Sequence, residues 1–165
     1  MTSSLSVLFV CTGNICRSPT AQGIFEALLE QANMRSSVQV DSAGTDSYHV
    51  GDSPDSRAQA TAKAHGIDLS QQQARRITPE DCDTFDYLIV MDDGHRWTLN
   101  TRLGRHVDTK ISKLLDYARD ESYRHADVPD PYYGGTGGFE RVYAMIEDGC
   151  EGLLEDVKAR LVEQP

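Results

Sequence analysis

Hydrophobic positions fall along this chain in two kinds of run. Leu5–Ser6–Val7–Leu8–Phe9–Val10 and Tyr87–Leu88–Ile89–Val90–Met91 are short and nearly continuous. Such runs predict strands of a parallel sheet covered on both faces. Val38–Gln39–Val40 predicts another strand, running into Asp41–Ser42–Ala43–Gly44, and Val107–Thr109 a weak one. Elsewhere the apolar positions recur at helical spacing. Ala21, Ile24, Phe25, Leu28 and Ala32 predict a helix ending near Met34. Phe139, Val142, Tyr143, Ile146, Cys150, Leu153, Leu154, Val157 and Leu161 predict a long amphipathic helix that closes the chain.

The polar punctuation between these runs refines the boundaries. Ser18 is a good N-cap and Pro19 suits a first helical position. Pro54 opens an alanine-rich segment that Gly66 can close. Residues 67–77 are polar and irregular, and Thr78–Pro79–Glu80–Asp81 reads as a cap with a short helix behind it. Asp92 can cap a helix through about Leu103, and Ser112–Ala118 predicts a short helix. Residues 119–138 form a long charged loop rich in Gly and Pro, a length that in a compact domain is usually either functional or disordered. Strands alternating with helices predict an α/β fold: one domain over residues 1–165, a mainly parallel sheet, helices on both faces. Ligands in such sheets bind beyond the strand C-termini.

Composition narrows the chemistry. The 165 residues carry a formal net charge of −10, which argues against a general affinity for nucleic acid or acidic membranes. No apolar run approaches membrane-spanning length and no signal peptide is evident, so the expected location is the cytoplasm. The four cysteines, Cys11, Cys16, Cys82 and Cys150, form no CxxC pair and are expected as reduced thiols. The histidines show no ligand spacing, so no metal site is expected.

One stretch stands apart. Cys11–Thr12–Gly13–Asn14–Ile15–Cys16–Arg17–Ser18 lies between the first strand and the first helix, where a phosphate-sized anion binds well. Loop amides can hold phosphate oxygens, Arg17 can grip two of them bidentately, and Gly13 gives the curve its freedom. A helix N-terminus and a guanidinium both favour a thiolate over a thiol. The Ser18 hydroxyl can either donate to the Cys11 sulfur or cap the helix. On spacing alone, Cys11 could also be an inert core thiol. The loop is not a nucleotide-binding P-loop, since no Gly-Lys-Ser/Thr follows. Tyr48, Tyr132 and Tyr133 can wall a pocket for a flat ring, or serve as ordinary turn and core tyrosines.

Cys11 through Pro19, taken with Asp130–Pro131–Tyr132–Tyr133–Gly134, resembles the two signature motifs of the low-molecular-weight protein tyrosine phosphatase family. Asp41–Ser42–Ala43–Gly44, Thr84–Phe85–Asp86–Tyr87 and Met91–Asp92 are similar to family segments as well. The resemblance implies a four-stranded parallel sheet and neither metal nor organic cofactor. It implies hydrolysis of phosphotyrosine in proteins, and of small aryl phosphates, through a phosphocysteine. Cys11 would be the nucleophile. The loop from Thr12 to Ser18, Arg17 included, would bind phosphate, and Asp130 would act first as acid, then as base. An aspartate before proline belongs on a loop, as that role needs. Tyr48 and Tyr132 match positions that line the family's substrate cleft. Ile15 stands where related protein arginine phosphatases usually carry threonine, which favours a phosphotyrosine ring. Cys11 and Cys16 would form a reversible disulfide that protects the nucleophile. Asn14, Ser18 and Ser42 would support the loop. Many members place a histidine behind them where this chain has Ser70–Gln71–Gln72–Gln73.

The alternatives within reach are a protein arginine phosphatase, an arsenate reductase of the same fold, and a phosphoprotein-binding module. Arsenate reduction needs relay cysteines that the surroundings of Cys82 do not supply. The expected partner is a tyrosine-phosphorylated protein, and the expected state is a monomer, with weak dimerisation as the alternative.

Overall fold

β1 (Leu5–Cys11) is buried along its whole length and is the axis of the molecule. The computed structural model describes residues 4–103, 109–132 and 137–163. β1 pairs in parallel with β2 (Val38–Gly44), from Leu5 opposite Val38 to Cys11 opposite Gly44. On its other side it pairs with β3 (Tyr87–Val90), and β3 pairs with β4 (Ile111–Lys113). The sheet is therefore four-stranded and all parallel, in the order β2-β1-β3-β4.

Side chains alternate along β1 and divide the core. Leu5, Val7, Phe9 and Cys11 face a layer built with α1 (Arg17–Gln31) and the long α5 (Gly137–Glu163). Phe9 meets Phe25 edge to face, with ring centres 5.7 Å apart. Leu8 and Val10 face a smaller layer with Cys82 and Phe85, from α3 (Pro79–Thr84) and its end, and Leu99 of α4 (Asp93–Arg102). α2 (Ser56–Ala64) adds Ala62 to the larger layer. Cys150 and Cys82 are core thiols, one in each layer.

In this order the chain leaves β1 toward β2 and returns to β3 on the other side, so the switch point lies between the ends of β1 and β3. The Cys11–Ser18 loop leaves one of those ends and Asp92 the other.

Several boundaries differ from expectation. α1 starts at Arg17 with Cys16 as N-cap, so Ser18 is inside the helix and does not cap it. α1 ends at Gln31, short of Met34, and Asn33 follows with φ 57°. Asp55, not Pro54, opens α2, because its carboxylate accepts from the Arg57 amide. The weak strand near Val107–Thr109 falls mostly on residues 104–108, outside the described residues. The fourth strand forms at Ile111–Lys113, where a helix start was expected, and only a 3₁₀ turn, Leu114–Tyr117, follows. Buried Lys113 explains the misreading: its ammonium donates to the His125 carbonyl and to Asp127, so a charged residue ends a covered strand. α5 begins at Gly137, before Phe139.

Candidate active site

The loop after β1 is held from outside by its carbonyls. Those of Cys11, Thr12, Ile15 and Cys16 accept from the amides of Thr45, Asp46, Asp55 and Thr20. In a trans peptide the C=O and the following N–H point in opposite directions. The amides of Thr12, Gly13, Cys16 and Arg17 therefore turn the other way, toward the inside of the curve. That lines a concavity with donors, which suits an oxyanion.

Asn14 fixes the curve. Its φ is 58°, a left-handed conformation that asparagine tolerates better than most residues. The amide nitrogen donates to Ser18 Oγ (2.8 Å) and Ser42 Oγ (3.0 Å), and its oxygen accepts from the Arg75 N–H (3.0 Å). Ser42 Oγ donates in turn to Gln22 Oε1 at 2.6 Å. Ser18, already accepting from Asn14, has its proton free for Cys11 Sγ, 3.0 Å away. Ser18 thus lies inside the helix against the sulfur and does not cap it. The Gln71–Gln73 stretch does not supply the loop's support in the described contacts. Gln72 donates to the Pro19 carbonyl (3.0 Å), while Gln22 and the Arg75 backbone hold Ser42 and Asn14.

Gly44 closes the back of the loop. A Cβ there would lie 2.6 Å from the Thr12 carbonyl oxygen and 3.2 Å from the Asn14 nitrogen, both backbone atoms that cannot swing aside. Gly44→Ala is expected to lower stability by about 1–3 kcal/mol and to weaken phosphate binding with it. A urea titration with and without phosphate checks this, and an unchanged midpoint would refute the close fit.

Arg17 is only 3% exposed. Its Nη1 donates to Asp92 Oδ2 (3.0 Å) and to the Val128 carbonyl (2.9 Å), and its Nη2 lies 3.6 Å from Asp130 Oδ2. The Val128 amide in turn donates to the Met91 carbonyl (2.9 Å) at the end of β3. These bonds bring the segment carrying Asp130 over the loop from far along the chain. Asp130 Oδ1 accepts from the Tyr132 amide at 3.0 Å. Arg57 of α2 donates to the Tyr132 carbonyl and lies 5.4 Å from its ring centre, tying the segment down from the far side.

A cavity of about 240 Å³ joins these groups. It is lined by Cys11, Thr12, Gly13, Ile15, Cys16, Arg17, Asp46, Tyr48, His49, Asp130 and Tyr132. Tyr48 stands at its mouth, 87% exposed, and the His49 ring faces Tyr132 at 6.2 Å. Tyr133 lies outside the described residues. The thiols of Cys11 and Cys16 are both free. Burial, then the charges of Asp55 and Cys11, push the Cys16 thiol well above its ordinary pKa. Among the described residues no group of His, Cys, Asp and Glu could hold a metal ion.

Among the groups that sequence reading missed here are Gln22, Arg75, Arg57 and His95. Only His95 left a trace, as the third residue after the cap Asp92, where a capping box usually has Glu or Gln.

Fold and loop together define the class: an α/β protein that presents a thiol inside an anion cradle at its topological switch point. A family model described as low molecular weight phosphotyrosine protein phosphatase matches residues 6–163. The low molecular weight protein-tyrosine-phosphatase YfkJ of Bacillus subtilis is 42% identical over 154 residues, 93% of this chain and 96% of that one. The YfkJ crystal structure superposes with a TM-score of 0.89 and covers 98% of both chains. The human low molecular weight phosphotyrosine protein phosphatase is 42% identical over 150 residues, 91% of this chain and 94% of that one. A protein tyrosine phosphatase from Entamoeba histolytica, solved with Hepes in its active site, gives a TM-score of 0.88 at 36% identity, covering 94% of this chain and 98% of that one. The chain belongs to the low molecular weight phosphotyrosine protein phosphatase family.

Proposed function

We propose that residues 1–165 form one phosphatase domain that hydrolyses phosphotyrosine in proteins, and small aryl phosphates, through a phosphocysteine. The observation that carries this reading is the meeting of three groups at one cavity: the Cys11 sulfur beside the Ser18 hydroxyl, buried Arg17, and Asp130 beside Arg17. Cys11 attacks phosphorus in line, and the phosphorus–oxygen bond breaks as Asp130 gives its proton to the leaving phenolate. Arg17 and the inward amides hold the phosphoryl oxygens throughout. Water then attacks phosphorus, Asp130 takes the proton, and the sulfur–phosphorus bond breaks to return the thiolate. Ser18 steadies the sulfur both as attacking and as leaving group. The steps use only this chain and water. Ile15, Tyr48 and Tyr132 offer apolar and aromatic faces to the ring. Tyr133 is assigned to the same wall from the motif alone. Asn14, Ser18 and Ser42 keep the cradle in shape before substrate arrives.

The proposed partner is a tyrosine-phosphorylated protein, met in the cytoplasm by a monomer of this chain. The net charge of −10 supports a partner that is neither nucleic acid nor an acidic membrane. Among the described residues no helix is long and apolar enough to cross a membrane. The test is release of phosphate from p-nitrophenyl phosphate, a phosphotyrosine peptide and phosphoarginine. Turnover of the first two above the third is expected. No release from any of them sinks the phosphatase reading, and a preference for phosphoarginine overturns the substrate.

We also assign Cys16 as the resolving partner of Cys11 under peroxide. Its raised pKa keeps it a thiol, which oxidises less readily than a thiolate. Dithiothreitol should restore the peroxide-treated wild type and restore Cys16→Ser less. Equal recovery refutes the protective role.

A further inference from the structure

His95 is 4% exposed, sits beside the cradle, and has no part in the steps above. The Asp92 backbone N–H donates to its Nδ1 (3.3 Å), and the His95 N–H donates to Asp92 Oδ1 (3.0 Å). A backbone amide can only donate, so this bond needs the lone pair on Nδ1; Asp92 Oδ1, also 3.3 Å from Nδ1, is engaged by the His95 N–H instead. The hydrogen of the neutral ring is therefore on Nε2. Nε2 lies 3.0 Å from Thr12 Oγ1, to which it then donates; Arg17 Nη2, at a longer 3.4 Å from Nε2, has Thr12 Oγ1 as its acceptor at the same distance. A second ring proton would sit on Nδ1 against the Asp92 amide and place a cation next to Arg17. Burial, then the Arg17 charge, push the His95 pKa down to about 4, with Asp92, Asp130 and Asp127 opposing. At neutral pH the ring is uncharged and in one tautomer.

That tautomer constrains the Thr12 hydroxyl. Its oxygen accepts from His95 and lies 3.4 Å from Arg17 Nη2, a second donor. The hydroxyl's own proton must point elsewhere. Thr12 is half-buried and lines the cavity together with Cys11 and Asp130. Arg17 Nη2, its neighbour, also lies 3.6 Å from Asp130 Oδ2. The open direction is therefore the cavity, on the edge that faces the acid.

We propose that His95 is a positioning residue that aims the Thr12 hydroxyl into the cavity, as a hydrogen-bond donor to an oxygen of the bound phosphoryl group. The inference rests on the phosphatase reading and deepens it. It adds one side-chain donor to the backbone amides and Arg17, set in place before the ligand arrives.

Two replacements separate the ring's two bonds. His95→Asn keeps an acceptor for the Asp92 amide but is too short to reach Thr12. His95→Gln places an amide nitrogen near the position of Nε2 and gives up the cap. The readouts are the dissociation constant of inorganic phosphate by calorimetry, and kcat and KM for p-nitrophenyl phosphate. Thr12→Val should weaken phosphate binding roughly tenfold, the usual scale for a lost bond to a charged group, while Thr12→Ser stays near the wild type. His95→Asn should match Thr12→Val, and His95→Gln should recover most of the loss. The double variant with Thr12→Val should bind phosphate no worse than either alone. Nitrogen NMR of the ring should show hydrogen on Nε2 and none on Nδ1.

Wild-type phosphate affinity in Thr12→Val overturns the proposal, as do additive losses in the double variant or recovery by His95→Asn in place of His95→Gln. Where a His95 variant fails to fold, the Thr12 pair still tests the donor, and hydrogen found on Nδ1 of the wild-type ring overturns its positioning by His95. If these variants bind phosphate normally and the wild type turns over p-nitrophenyl phosphate, the positioning role alone fails. If the pattern holds but the wild type hydrolyses nothing, the phosphatase reading alone fails.

Discussion

Cys11→Ser is expected to lose turnover of p-nitrophenyl phosphate by roughly ten-thousand-fold or more, because the reaction then lacks its covalent route. The substitution changes one atom at the centre of the loop. Ser18 Oγ can still reach position 11, and Asn14 still holds Ser18, Ser42 and the Arg75 amide. The cradle should survive, so inorganic phosphate should still bind to the variant. That separation of binding from turnover is the useful result. Full activity in the variant would refute the covalent mechanism. Loss of both binding and turnover, with an unchanged melting temperature, would instead show that the sulfur is part of the anion site.

Asp130→Asn should cost about 10²–10⁴-fold, with the size set by the leaving group. p-Nitrophenolate departs readily without a proton, while phenolate needs one. The loss should therefore be clearly greater with phenyl phosphate than with p-nitrophenyl phosphate. The amide can keep the bond from the Tyr132 N–H, and the segment stays pinned through Val128 and through Arg57 at Tyr132. A proton-transfer defect is thus expected without a displaced loop. Equal losses with both substrates would exclude Asp130 as the group that protonates the leaving oxygen.

How much could be read beforehand depended on distance along the chain. β1 and β3 were plain because a doubly covered parallel strand has to be apolar on both faces. β4 was not, because its last residue is a lysine whose charge is met by Asp127, residues away in sequence. The start of α1 was misplaced for a chemical reason: a serine before proline is a good cap in isolation, yet this serine's hydroxyl is held by Asn14 and faces a sulfur. Cys11 and Arg17 stood out because their spacing is local. Asp130 came from the resemblance, since nothing local marks a loop acid as different from its neighbours. Gln22, Arg75 and Arg57 could not be found from pattern at all. Gln22 and Arg57 act through side chains that look like surface until their partners are known, and Arg75 acts through its backbone N–H, which no residue type marks.

The bond from Arg17 to the Val128 carbonyl has a consequence for how activity is acquired during refolding. The phosphate cradle takes its backbone from the end of β1 and the start of α1, and its supports reach from Ser42 to His95, all before the segment that carries the acid. The acid reaches it only after β3 is in place to bond Val128 and the segment before α5 has docked. Contacts that close such long loops form late, because chain entropy is lost before they repay it. A refolding molecule should therefore regain affinity for phosphate before it regains catalysis, so the recovery of turnover reports the arrival of the segment that carries the acid.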